Sequence, residues 1–344
     1  MPIDYYRLLG RSGLRVSPLC LGTMTFGEEW GWGSNKDEAR KVFDAYAAHG
    51  GNFIDTANFY TGGTSESFIG DFLDGRRDQF VLATKFSLTM RAGDPNASGN
   101  HRKNVRQALE ASPKRLKSDY VDLYWLHIWD KITPIQEVMQ ALDDAVRSGK
   151  VLYVGVSDMP AWKVAQGNTL ATLRGWSPFV ALQIEYSLIE RTPERDLIPM
   201  AMDLGLGVTP WSPLGGGILT GKYRKKDGQA KRLDPTSEFG QMKLTERNLA
   251  IADEVVKIAQ ELERSPAQVA INWLVNRPGV TSTIIGARRV QQLEDNLAAV
   301  DFQLSPEHVE RLDQVSRIEL GFPHDFLNIP SVRHNMTSGT KIVP

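Results

Sequence analysis

Asn52-Phe53-Ile54-Asp55-Thr56-Ala57-Asn58-Phe59-Tyr60 is an apolar run that ends on an acid, with a tyrosine a few residues beyond. Its β-branched and aromatic content reads as a strand, and the polar residues after it read as the start of a loop. The same design recurs twice. Val81-Leu82-Ala83-Thr84-Lys85 finishes on a lysine, and Asp122-Leu123-Tyr124-Trp125-Leu126-His127 finishes on a histidine. Side chains alternate faces along a strand, so Lys85 shares a side with Ala83 and Val81, and His127 shares one with Trp125 and Leu123.

Working outward, short runs rich in Val, Ile, Leu and aromatics alternate with longer stretches of helical period, the pattern of repeated βα units. Eight strands are predicted: Leu19 to Thr23, Asn52 to Ala57, Phe80 to Lys85, Val121 to His127, Val151 to Ser157, Phe179 to Ile184, Leu206 to Pro210 and Ser282 to Gly286. Helical stretches between them include Lys36 to His49, His101 to Leu116, Ile135 to Ser148 and Pro266 to Asn276. In the last of these Ser265-Pro266 supplies the cap and first turn. Eight units in one series favour a closed α/β (β/α)8 TIM barrel over an open sheet, which for a dinucleotide would also need a Gly-rich first turn.

Three features are added to the minimal barrel. Tyr5 to Leu9 and Leu14 to Val16 flank Gly10-Arg11-Ser12-Gly13, an N-terminal hairpin placed to plug the barrel's bottom. Leu214 to Leu244 has little periodicity and reads as a long loop after the seventh strand, and the tail after Ile318 reads as irregular. No linker divides the chain, so residues 1–344 are expected to form a single domain.

Polar groups at the carboxyl ends of barrel strands point into the mouth, so Asp55, Tyr60, Lys85 and His127 are expected to converge there. Their chemistry matches carbonyl reduction, in which a cofactor gives hydride and the protein protonates the developing alkoxide. A free tyrosine, with a pKa of roughly 10, needs help to exchange a proton at neutral pH. A lysine ammonium favours the phenolate by charge, an aspartate holds that lysine in place, and a histidine donates to the carbonyl oxygen once its other nitrogen has a partner. Taken singly, each residue has a structural explanation, an ion pair or packing. Together they fall at the ends of consecutive strands.

At this point the chain resembles the aldo-keto reductases from the Leu19 strand to about Leu304. The carriers are Gly51 to Ala57 with Tyr60, Ala83-Thr84-Lys85, the Asp122 to His127 strand, Gly155-Val156-Ser157, Leu182-Gln183, Trp211-Ser212-Pro213-Leu214, and Ile284-Ile285-Gly286-Ala287-Arg288 with Gln292 and Asn296. The resemblance implies a catalytic tetrad of Asp55, Tyr60, Lys85 and His127 with Tyr60 as general acid, and NADPH as cofactor. It places Ser157, Asp158 and Gln183 at the nicotinamide carboxamide and Trp211 on the ring. Ser212, Leu214 and Gly216 fall at the pyrophosphate, Arg288, Gln292 and Asn296 at the adenosine end, with Thr23 and Gly286 also among the cofactor contacts. The family commonly has Asn where this chain has Asp158, and a carboxylate cannot donate to the carboxamide oxygen. Independently of the family, an Arg just past the last strand suits a ribose 2′-phosphate.

Trp30 and Trp32 follow the first strand and Trp129 the fourth. They are either substrate walls or an aromatic plug packed over the loop, and as walls they suggest a bulky or ring-containing ketone, xenobiotic or mycotoxin-derived carbonyls included. Gly216 to Lys222 matches most of a P-loop, but Tyr223 stands where Ser or Thr should bind magnesium. Two other functions remain open from sequence: an NADPH-binding regulatory subunit with slow turnover, and a Schiff-base lyase using Lys85.

Composition narrows the partners. With 40 basic and 41 acidic residues, a net charge of −1 and 41% hydrophobic content, the chain can fill a large core and has no field to draw nucleic acid or an anionic membrane. One cysteine, Cys20, and six scattered histidines give neither a disulfide nor a metal motif. The expectation is a cytoplasmic enzyme acting on a small-molecule carbonyl substrate with no metal. Oligomeric state is unreadable.

Overall fold

The structure, a computed structural model, describes residues 3–224 and 233–340. Chain order begins with an antiparallel pair, β1 (Arg7–Leu8) and β2 (Arg15–Val16). Eight parallel strands follow: β3 (Leu19–Gly22), β4 (Phe53–Asp55), β5 (Val81–Phe86), β6 (Val121–Leu126), β7 (Val151–Ser157), β8 (Phe179–Glu185), β9 (Gly207–Trp211) and β10 (Thr283–Gly286). Each pairs with the next in chain order as far as β9, and β10 returns to β3. Between β9 and β10 the Val208 N–H donates to Gly279 O at 3.2 Å and the Thr281 N–H donates to Val208 O at 2.8 Å, which draws the sheet into a barrel. Every predicted strand is present within two residues of its expected bounds.

Alternation along the strands makes two hydrophobic layers. Phe53, Val81, Ala83, Leu123, Trp125, Ala181 and Ile284 point inward and fill the barrel. Ile54, Leu82, Tyr124, Leu126 and Leu182 point outward against the helices. A side chain one further pleat along an inward row therefore emerges at the mouth, which is the position of Asp55, Lys85, His127 and Gln183. Gly155 permits this filling, because a Cβ there would lie 2.4 Å from the Trp125 ring. At the other end, Leu9 and Val16 of the hairpin join the inward cluster and close the bottom. The hairpin turn needs a glycine: Gly10 has φ of 60°, and a Cβ on it would lie 2.5 Å from the carbonyl oxygens of Val180 and Gly205.

The helices include α1 (Lys36–Ala48), α2 (Thr64–Phe72), α3 (Arg102–Leu116), α4 (Ile135–Arg147), α5 (Ala161–Arg174), α6 (Leu197–Leu204), α7 (Glu238–Lys243), α8 (Glu246–Glu261) and α9 (Pro266–Val275). They continue with α10 (Val290–Leu297) and α11 (Pro306–Val315). The N-terminus of α9 carries a reciprocal Ser265–Gln268 capping box, with Pro266 in the first turn. Two sequence expectations are corrected. The stretch read as a loop after β9 contains a 3-10 segment, Gly215–Thr220, and α7, which Ser237 caps by accepting from the Gly240 N–H. Residues 225–232 of that stretch lie outside the described residues. The tail read as irregular carries α12 (His324–Leu327) and α13 (Pro330–Thr337), the latter begun by a proline in its first turn. Both pieces are too short for a periodic apolar stripe, so their pattern was invisible in sequence. Among the described residues no helix is long and apolar enough to cross a membrane.

Candidate active site

Lys85 lies at the end of β5 and is wholly buried. An ammonium has three N–H groups, and each has an acceptor here: a carboxylate oxygen of Asp55, the Thr56 carbonyl at 2.8 Å and the Tyr60 hydroxyl oxygen at 3.0 Å. The other oxygen of Asp55 accepts from the Gln183 amide at 3.0 Å. Asp55 on β4, Lys85 on β5 and Gln183 on β8 thus share one buried network. Burial alone pulls the ammonium down, but the Asp55 carboxylate and the Tyr60 oxygen outweigh it and hold Lys85 above its ordinary value. A lysine so charged and so fully bonded has no lone pair for a Schiff base.

Tyr60 reaches Lys85 because the chain after β4 turns sharply. Thr61 adopts a left-handed conformation, φ 48°. Its hydroxyl makes that turn tenable by donating to Phe26 O at 2.8 Å and accepting from the Ser65 N–H at 3.2 Å. The phenol oxygen accepts from Lys85, so its own hydrogen points elsewhere and is available to a ligand. Sequence reasoning expected Lys85 to favour the phenolate, and the balance comes out the other way. Burial raises the Tyr60 pKa most, the lysine pulls it down, and the Asp55 and Asp158 carboxylates push it up again, leaving it above its ordinary value. Burial outweighs the lysine's charge, so the resting group is the neutral phenol.

His127, just past β6, lies edge-on to Tyr60 with ring centroids 5.8 Å apart at 81°. Burial, then the Lys85 charge, lowers its pKa to about 3. The partner expected for its second nitrogen is missing, since Nδ1 is buried without a hydrogen bond among the described residues. A neutral imidazole still offers one N–H. We predict that an NMR titration shows His127 uncharged from about pH 5 to about pH 8, and a protonation midpoint near its ordinary value would contradict the geometry.

The aromatic candidates divide. Trp30 stands against Phe59 at 5.8 Å, Trp32 at 5.7 Å and Tyr60 at 6.4 Å, so the loop after β3 walls the phenol. Trp129 instead meets Trp162 edge-on at 5.9 Å, with Lys163 over both rings. Phe59 was missed in sequence, although its adjacency to Tyr60 was a signal.

Around the same mouth, Asp158 follows β7 in a left-handed conformation, φ 45°, and accepts from the Trp211 indole N–H at 3.2 Å. The protein around it displaces water and lifts its pKa to about 6, against the pull of the Trp211 hydrogen bond. Ser157 presents a buried hydroxyl beside that carboxylate, whose pKa it helps to hold down. Past β9, Ser212 and Gly215 to Gly217 all have positive φ, and the Gly215 and Gly217 N–H groups close the turn on Ser212 O and Leu214 O, both at 2.9 Å. Beyond β10, Arg288 and Arg289 are exposed, and among the described residues neither has a carboxylate partner. The Arg288 N–H donates to the Gln292 side chain at 3.0 Å, and Asn296 donates to Gly286 O at 3.3 Å. Thr23 is fully buried with its hydroxyl on Asp55 O and Ser65, so it braces β4 and offers no donor to the mouth. A further pair escaped sequence reading: Lys243 of α7 bonds Glu185, at the end of β8, at 2.8 Å. Their separation of 58 residues carries no local signal.

The model of the aldo/keto reductase family matches residues 18–317. The chain belongs to this family. A norsolorinic acid reductase of Aspergillus flavus is 36% identical to this aldo/keto reductase over 98% of the chain and 88% of its own length. An NADP(+) aryl-alcohol dehydrogenase of Phanerodontia chrysosporium is 38% identical over 91% of the chain and 86% of its own. An aldo-keto reductase of Emericella nidulans is 38% identical over 94% and 84%. The chain is therefore an oxidoreductase. The residues at the mouth fit a nicotinamide dinucleotide phosphate: the Ser157 hydroxyl and the Asp158 carboxylate at one end, a glycine-rich turn past β9, and the exposed Arg288 and Arg289 at the other. Among the described residues no group of three or more His, Cys, Asp or Glu is placed to hold a metal ion.

Proposed function

We propose that the chain reduces an aldehyde or ketone to the alcohol with NADPH, and that the substrate carries an aromatic or fused-ring group. The observation that carries the reading is the Asp55–Lys85–Tyr60 chain of hydrogen bonds, which leaves a protonated phenol facing the mouth beside a neutral His127. Ser157, Asp158, Gln183 and Trp211 would hold the nicotinamide, Ser212, Leu214 and Gly216 the pyrophosphate, and Arg288, Gln292 and Asn296 the adenosine end, with Arg288 favouring the 2′-phosphate. When bound, NADPH supplies the hydride. His127 donates its N–H to the carbonyl oxygen and sets its angle of approach. Tyr60 passes its proton to that oxygen as charge develops there, and Lys85, at 3.0 Å, stabilises the phenolate left behind. Transfer in reverse oxidises the alcohol. A cytoplasmic setting belongs to the same proposal, supported by the single buried thiol of Cys20.

The ring preference rests on the Trp30–Trp32–Phe59 wall beside Tyr60, and two relatives whose names specify norsolorinic acid and aryl alcohols point the same way. Replacing Trp30 by Ala should raise KM for an aryl ketone about tenfold, the equivalent of about 1.4 kcal/mol of ring contact, and leave a short aliphatic aldehyde unaffected. Equal losses on both substrates would reject the ring-reading role. The overall test is oxidation of bound NADPH, followed by absorbance in single-turnover and steady-state runs, with a panel of aryl and aliphatic carbonyls and with NADH for comparison. Tight NADPH binding without oxidation by any of them would favour a regulatory subunit over a reductase.

A further inference from the structure

His127 has an exacting task under the proposed function and little of its own to hold it. Among the described residues its ring makes no hydrogen bond through Nδ1, and it lies against the edge of Tyr60. Its place is therefore set by its backbone. The His127 N–H is shared between Phe86 O at 3.0 Å and the Ser87 hydroxyl oxygen at 3.2 Å. Ser87 is itself held in an unfavourable conformation, φ 120°, and is buried. A non-glycine residue keeps such a φ only where its surroundings over-determine it.

The surroundings converge on Asn100, a fully buried amide in the loop that leads into α3. One side-chain N–H of Asn100 donates to the Ser87 hydroxyl oxygen at 2.8 Å and the other to Ile128 O at 3.0 Å. Its carbonyl oxygen accepts from the Asp130 N–H at 2.9 Å, and its backbone N–H donates to the Asp130 carboxylate at 2.8 Å. That carboxylate is anchored in turn by the backbone N–H groups of Ile132 and Thr133 and by the Thr133 hydroxyl. One amide thus ties the loop after β5 to the loop after β6 on both sides of His127, at Ser87 before it and at Ile128 and Asp130 after it.

We propose that Asn100, acting through Ser87, is a positioning residue for His127: it fixes the imidazole against Tyr60 at the angle the carbonyl requires. The inference rests on the carbonyl-reduction reading, and its test separates the two. Asn100→Ala should lower kcat by about 10²-fold with cofactor Kd unchanged, because displacing an orienting group by about an ångström costs that much. In a His127→Ala background the same substitution should cost nothing further, since a positioning residue has no effect once the group it positions is gone. Equal losses with and without His127 would make Asn100 a merely structural residue and overturn the proposal.

The second measurement does not need turnover. In the NADP-saturated protein, the His127 ring resonances should shift in Asn100→Ala and return toward wild type in no variant that lacks the amide. Unmoved resonances would also overturn the proposal. If Asn100→Ala does not fold, Ser87→Ala removes only the hydroxyl that His127 leans on, and the same two outcomes apply. Should Tyr60→Phe keep full activity while the Asn100 results hold, the reduction mechanism fails and the positioning of His127 stands.

Discussion

Tyr60→Phe should lower carbonyl reduction by about 10²- to 10⁴-fold with NADPH affinity intact. The change removes one oxygen. The ring keeps its edge contacts with Trp30 and His127, so the pocket's shape survives. What disappears is the proton source and the acceptor for one N–H of the buried Lys85 ammonium, whose loss costs about 1–3 kcal/mol of stability. Rapid-mixing measurement of hydride transfer, alongside fluorescence titration with NADPH, separates the two quantities. A variant that turns over at the wild-type rate would remove Tyr60 as the acid and leave His127 as the remaining donor at the mouth.

Lys85→Met is expected to damage both stability and rate. Lys85 and Asp55 are almost wholly inaccessible, and removing one member of a buried ion pair leaves the other charged and uncompensated, a loss of about 3–5 kcal/mol. The midpoint of chemical unfolding should fall accordingly, and reduction should fall at least about 10²-fold because the phenolate formed on proton transfer has no counter-charge. The double variant Asp55→Asn with Lys85→Met should recover much of the stability and none of the rate, since it removes both buried charges but also the group that stabilises the phenolate. Recovery of rate in the double variant would show that the pair only supports the fold.

Much of this was legible in the sequence for one reason: strands impose a period of two. The inward row Val81, Ala83, Lys85 and the row Leu123, Trp125, His127 run apolar until they reach the mouth, so a polar residue at the end of each row marks both the strand's direction and the cavity. Helix ends were legible where the code is local, as at Ser265-Pro266. The 3-10 segment and α7 after β9 and the short helices of the tail were not, because their geometry comes from single backbone angles and contacts without a repeating pattern.

The sequence by itself determined the eight βα units, the four polar groups at the mouth and the chemistry their types allow, because each follows from neighbours a few residues apart. Tertiary structure alone decided the upward shift of Tyr60, the downward shift of His127 and the separation of Trp30, beside the phenol, from Trp129, which meets Trp162. It also decided the Asn100 tether, whose partners stand 13, 28 and 30 residues away. Desolvation and long-range hydrogen bonds depend on what surrounds a group in space, and that is established only when the barrel closes.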